Sequence, residues 1–328
     1  MFKFIKIKNM ITVYKSVEKE LIKTNYEQLD NVTIEKGSWI HIDNPTIDIL
    51  KEVSKLTAIN ETFLLTSLDE EESARVDVDD DDTLIVLDTP YIENQEIEKY
   101  STAPFIIAYN KNYFVTIEKH NFQLLDEVFR RVKNIETDKH VRLTLNIVYR
   151  LSTLFISYLK RINIHTEKLE TSLRNATRNK ELLSLMDTNK TLIYFSTAIS
   201  GNKGVLAKLI RSSTYKKYEE DADLMEDTQV EMDQANEMCS ISCSVVNSMM
   251  EAFGSIINNN VNGIMKTLAV ITVVLSIPTL VCSIYGMNFA NIPLYDNEYG
   301  FYIAIGSGLL LAIIGLFILI FIDRFKKK

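Results

Sequence analysis

The chain has 328 residues, with 36 Lys and Arg against 44 Asp and Glu, a formal net charge of −8 and a mean hydropathy near zero. That length accommodates about two domains, and the acidic excess excludes the broad basic surface that nucleic acid requires, while suiting a cation-rich partner. Three cysteines (Cys239, Cys243 and Cys282), with no Cys-x-x-Cys pair and no His at ligand spacing, exclude a disulfide framework and a zinc centre.

The opening MFKFIKIKNM is too polar for a signal-peptide core, so the amino terminus is expected to stay in the cytoplasm. Residues 1–135 mix strand-like and helix-like stretches. Residues 37–42 read as a short strand, and Pro45 opens a helical pattern through Leu50, Val53 and Leu56. Residues 83–87, 105–109 and 113–117 are β-branched or aromatic runs, and Asn110-Lys111-Asn112 is a hairpin turn between the last two. The expectation is an α/β domain of five or six strands.

From about 122 to 263 the pattern is helical, with no proline between Pro104 and Pro278. Residues 136–224 read as antiparallel helices, with Gly201 and Gly204 marking a break and a polar turn near 211–224. Residues 225–286 show no stop signal. They read as one stalk helix of roughly 90 Å that continues into a bilayer.

Residues 264–285 and 301–322 are apolar and long enough for the ~30 Å hydrocarbon core, giving two transmembrane spans. The loop 287–300 contains no Lys or Arg, whereas Lys266 and the tail 323–328 are basic. By the positive-inside rule both termini are cytoplasmic and the loop is external, in a multi-pass protein of the cell (inner) membrane. The fold class is thus an α+β cytoplasmic domain joined to a long helical stalk and a carboxy-terminal two-helix transmembrane hairpin.

A helix facing only lipid has no need of hydroxyls, yet the first span places Thr272, Ser276, Thr279 and Ser283 on one helical stripe. Toward the cytoplasm the stripe passes Leu268, Met265, Asn262, Asn258, Ser255 and Glu251. Outward it reaches Gly286 and, at the turn, Asn288. One explanation is helix–helix packing, in which small and hydroxyl residues let backbones approach. The other is a pore wall, which two helices cannot enclose alone and which therefore needs a homo-oligomer. Magnesium sheds its waters reluctantly. A ring of neutral amide oxygens would grip the hydrated ion without trapping it, and Met265 with Leu268 would form a constriction that blocks ions by dewetting.

These residues resemble the CorA family of magnesium transporters. The match is Met265-Lys266-Thr267-Leu268, then Ile277-Pro278-Thr279, then Tyr285-Gly286-Met287-Asn288-Phe289, a short loop, a second span and a basic tail. It continues through Leu224-Met225-Glu226-Asp227 and Glu231, and through Trp39-Ile40 and Pro45. The resemblance implies a funnel-shaped homopentamer whose stalk helix lines the pore. Gly286, Met287 and Asn288 then form the outer selectivity filter, and Asn262, Met265, Leu268, Thr279 and, at the inner mouth, Glu251 line the pore. It also implies closure by cytoplasmic Mg2+ bound between subunits, with Asp227 as the stalk ligand. The amino-terminal ligand position aligns with Thr66, and Asp69 is the nearest acid, with further acids at 69–72 and 79–82. In the outer loop, Ile292-Pro293-Leu294-Tyr295 stands where the family often carries Met-Pro-Glu-Leu, which leaves Asp296 or Glu298 to attract cations.

The function expected is Mg2+ influx through a central pore, with Mg2+ as substrate and regulatory ligand and no organic cofactor. Other readings are the same fold carrying cobalt, nickel or zinc, and a membrane-anchored signalling or scaffold protein. An enzyme is not expected, since the chain has no phosphate-binding Gly-x-x-x-x-Gly-Lys loop, nucleophile elbow or clustered His/Cys site.

Overall fold

The computed structural model describes residues 10–18, 20–26, 34–94, 99–120, 122–175, 179–212, 221–287, 293 and 298–326. It divides into two units, Met1–Met250 and Glu251–Lys328.

The first unit is built on seven strands: β1 Met10–Val17, β2 Glu20–Tyr26, β3 Ser38–Asp43, β4 Arg75–Asp79, β5 Asp82–Asn94, β6 Lys99–Tyr109 and β7 Tyr113–Glu118. They form one sheet in the order β2-β1-β3-β7-β6-β5-β4. Only β3 and β7 run parallel. The helices of the chain are α1 Ile47–Thr57, α2 Glu61–Leu65, α3 Leu124–Arg131, α4 His140–Asn175, α5 Asn179–Arg211, α6 Ala222–Tyr285 and α7 Gly300–Lys326, with a 3-10 turn at Thr66–Leu68.

Both faces of the sheet are covered, so the central strands bury side chains of either parity. On one face Ile40, Ile42, Val115 and Ile117 pack with Leu50 and Val53 of α1 and Leu64 of α2. On the other, Phe129 of α3 stacks on Trp39 with ring centroids 5.3 Å apart, and α5 lies over β4, β5 and β6. Several buried polar groups in this layer are matched. The Trp39 indole donates to Thr116 at 2.8 Å, and the Asn110 amide oxygen receives the N–H groups of Asn112 and Tyr113 at 3.0 Å, which fixes the hairpin turn read from the sequence.

Seven strands exceed the five or six expected. β2 is an exposed edge strand carrying Glu20 and Lys23, and β4 is an edge strand rich in aspartate. Charged edges discourage sheet-to-sheet association, and the same charges hide such strands from a hydropathy reading. β1, which joins β2 to the sheet, lies inward and is mostly buried.

The break expected at Gly201 and Gly204 is absent, because α5 runs through both. Gly201 marks a close approach instead: a Cβ there would lie 3.1 Å from the Ala74 Cβ and 3.7 Å from the Asp88 Oδ2. Beside it, the wholly buried Asn202 clasps the β5 backbone. Its Oδ1 accepts from the Asp88 N–H at 2.9 Å and its Nδ2 donates to the Asp88 carbonyl at 2.7 Å. Gly204 faces open space.

Candidate functional site

The second unit contains residues 251–285 of α6 and the whole of α7. Both helices are long and apolar enough to cross a membrane, and none of the most apolar window of α6 is buried within the single chain. Such a surface is stable only against lipid or other protein.

Packing within this hairpin depends on small residues of α7. Ala304, Gly308 and Ala312 are buried there at four-residue spacing, followed by Gly315. A Cβ on Gly308 would come within 3.5 Å of the Pro278 Cα and the Val281 Cβ, and one on Gly315 within 3.1 Å of the Ile277 Cδ1. Within residues 251–285 the partly buried residues of α6 are Val270, Val274, Ile277, Pro278 and Val281, which define its α7-facing side. This seam escaped the sequence reading. Ala304 and Ala312 complete a repeat that hydropathy alone does not mark, and a Cβ on Gly306, on another side of α7, would meet nothing within 4 Å.

The hydroxyl stripe lies on the other side of α6. At about 100° per residue, Thr272, Ser276, Thr279 and Ser283 sit roughly 180° around the helix from the side that meets α7. All four are exposed, as are Glu251, Asn262, Met265 and Leu268. Packing within the hairpin therefore does not explain the stripe. Thr272, Leu275, Ser276, Thr279, Leu280 and Ser283 line an open groove of about 460 Å³.

The hydroxyls are oriented by their own helix. Thr272 donates to the Leu268 carbonyl at 2.9 Å, Ser276 to Thr272 at 2.7 Å and Thr279 to Leu275 at 2.8 Å. Each proton is held by the backbone, so the free lone pairs of each oxygen project outward as acceptors. A row of acceptors suits a cation or the water protons of its hydration shell.

At the end of α6, Gly286 N–H bonds to the Cys282 carbonyl at 3.0 Å and Met287 N–H to Ile284 at 3.3 Å, carrying the helix into a turn. Asn288, the third residue of the expected filter, lies outside the described residues, as do Ile292, Leu294, Tyr295 and Asp296.

A model of the CorA-like Mg2+ transporter proteins matches residues 35–327. The chain belongs to the CorA family. A cobalt/magnesium transport protein CorA of Methanocaldococcus jannaschii is 28% identical over 308 residues, covering 92% of this chain and 94% of that protein. A magnesium transport protein CorA of Helicobacter pylori is 21% identical, covering 97% and 99%. The complete structure of the CorA magnesium transporter from M. jannaschii superposes with a TM-score of 0.77 at 25% identity, covering 96% of this chain and 97% of that one. The α/β unit, the long helix and the carboxy-terminal hairpin are thus the CorA fold, and the protein is a membrane protein.

The acids expected to serve a CorA-type regulatory site are in the first unit. Asp227 is exposed on α6. Asp69 is exposed after the 3-10 turn, and its carboxylate accepts the Glu71 N–H at 2.9 Å. Most neighbouring acids are committed elsewhere. Asp82 and Asp79 hold Asn60, the residue that caps α2, at 2.7 and 2.9 Å. Asp81 pairs with Lys111 at 2.7 Å, Glu70 with Lys119 at 2.6 Å, and Glu72 and Asp77 with Arg75. Thr66 donates its hydroxyl to the Thr62 carbonyl at 3.1 Å. Among the described residues, no group of three or more His, Cys, Asp or Glu within one chain could hold a metal.

Proposed function

We propose that this chain forms a homopentameric channel that admits Mg2+ to the cytoplasm along an axis lined by α6. The observation that carries the reading is the direction of the hydroxyl stripe. It points away from α7, and against lipid its outward acceptors would go unsatisfied. Copies of the chain around an axis would face these acceptors to water and ions.

In this reading Gly286, Met287 and Asn288 form the outer selectivity ring. Asn288 amides would hold hydrated Mg2+ through its waters, weakly enough for release. Thr279, Ser276 and Thr272 would pass the hydrated ion inward. Met265 and Leu268, which are 60% and 56% exposed in the single chain, would form the dewetting gate, with Asn262 and Glu251 below it. An inside-negative potential of 100 mV supplies about 4.6 kcal/mol to a divalent ion, so no nucleotide is needed. Cobalt is a second cargo, favoured by the name of the M. jannaschii relative.

The positions of Lys266 and of the basic tail support cytoplasmic termini. They support in turn a cytoplasmic stretch 1–263 and an external loop 287–300. Asp227 of one copy and Asp69 of the next are assigned to a regulatory Mg2+ site between copies, where the ion screens carboxylates that otherwise repel. Asp227→Ala should then weaken closure by internal Mg2+, seen as a higher internal concentration needed for half-inhibition. Unchanged inhibition would remove Asp227 from the site.

The deciding experiment is ion uptake into proteoliposomes under an inside-negative potential, with Mg2+, Co2+, Ni2+ and Zn2+ in parallel. Mg2+ uptake that depends on the potential is expected. Its absence would sink the channel reading.

A further inference from the structure

A second concave surface lies in the first unit, far along the sequence from the span. Arg131, Lys133, Lys139, Arg142 and Arg150 line a groove of about 610 Å³ together with the single carboxylate Glu136. Five cations around one groove are not a consequence of composition, since the chain as a whole has eight more acids than bases.

The groove is not neutralised by its neighbours among the described residues. Glu136 is shared between Lys139 at 3.1 Å and Arg142 at 3.3 Å. Burial opposes its ionisation, but those two cations outweigh burial and hold its carboxyl below the usual range. Arg142 also meets Asp221 at 3.0 Å, and Arg131 meets Glu127 at 3.5 Å, a carboxylate that Arg130 engages as well. Lys133 is exposed and has no ion pair. The Arg150 Nε is shielded from solvent and has no hydrogen-bond partner, while its guanidinium lies 4.9 Å over the Tyr149 ring. A shielded donor on a charged group without an acceptor is costly, and Arg150 nonetheless lines the groove.

We propose that this groove binds a phosphate-chain anion, of the class shared by inorganic polyphosphates and nucleoside polyphosphates. The volume is that of a small-molecule site and exceeds the needs of one inorganic ion. Guanidinium forks match the paired oxygens of phosphate, and the five cations outnumber the three acids, Glu127, Glu136 and Asp221, that pair with them. The cations all come from one stretch of the chain, the end of α3, the loop after it and the first three turns of α4, and such a run of charges suits a linear chain of phosphates.

The test is calorimetric titration of the full-length protein, purified as its assembly in metal-free buffer, with inorganic triphosphate as the probe. Saturable binding is expected, weakening as NaCl is raised from 50 to 200 mM. Lys133→Glu, at an exposed position, should weaken binding with no change in the oligomer's elution. Adding Arg150→Gln should bring the loss to about tenfold or more, as expected for charge-assisted bonds. Competition by ATP identifies nucleoside polyphosphate as a source, and triphosphate binding without ATP competition identifies the inorganic chain. Absence of triphosphate binding to the assembly overturns the proposal, as would be seen if an acidic segment of another copy filled the groove. Binding of equal strength to the double variant overturns it too, since the site would lie elsewhere.

Discussion

In the α/β unit, several polar groups that leave water find partners in distant parts of the same chain. Trp39 meets Thr116, Asn202 clasps Asp88, and Asn110 reaches back to the Thr57 carbonyl at 3.0 Å. In the hairpin, the hydroxyls of Thr272, Ser276 and Thr279 are matched only four residues back, on their own helix, and remain exposed with their lone pairs outward. The first unit thus pairs these buried groups within one copy, although a few, Arg150 Nε among them, stay without a hydrogen-bond partner. The second satisfies its backbone and one seam, then leaves a polar face that only further copies, water or ions can complete.

The largest effect expected from breaking this division is at the filter. Asn288→Ala should reduce Mg2+ uptake in proteoliposomes to the level of empty vesicles, while the α/β unit keeps its circular dichroism. Uptake at the parental rate would mean that the tripeptide does not select the ion. Next in size, Gly308→Leu should force α7 away from Pro278 and Val281 and abolish the detergent-stable oligomer, whereas Gly306→Leu, facing open space, should leave it intact. Equal behaviour of the two variants in size-exclusion chromatography would contradict the seam.

Smaller effects test the internal packing of the first unit. Burial pushes the Asp88 carboxyl up from 3.8 to about 6. The folded chain therefore holds that proton more tightly than the unfolded chain does, so stability is fully present below about pH 3.8 and falls as pH rises through about 6. Asp88→Asn removes a charge that is costly at neutral pH. It should stabilise the unit by up to about 3 kcal/mol at pH 7.5, read as a higher Tm, with the gain vanishing near pH 4. A gain that persists unchanged at pH 4 would show that ionisation is not its origin. Smallest of all, Gly204→Ala should stabilise α5 by about 0.5–1 kcal/mol. Gly201→Ala should gain less or lose, because its Cβ would press on Ala74. A pair of equal gains in denaturant melts would contradict the close approach.

Much of the fold was legible because its signals are local. Two uninterrupted apolar runs read as spans, and the Asn110-Lys111-Asn112 turn and the runs around it read as β6 and β7. What was missed has a common cause. β2 and β4 are edge strands whose charges imitate loops, and Gly201 looks like a helix breaker until the sheet beneath it is seen. The site divides in the same way. The spacing of Thr272, Ser276, Thr279 and Ser283 put them on one face, but their spacing was equally consistent with packing against α7.

The sequence by itself determined that the chain carries two apolar runs long enough to span a membrane, that a hydroxyl stripe marks the first, and that the chain resembles the CorA family. Helical periodicity and apolar length are properties of a segment, and a segment carries them wherever it is placed. Only the tertiary structure decided which side of α6 meets α7, that Ala304, Gly308, Ala312 and Gly315 form that contact, and that the acids near Asp69 are largely paired with other residues. Those facts depend on which distant side chains share a surface, and no spacing along the chain encodes that.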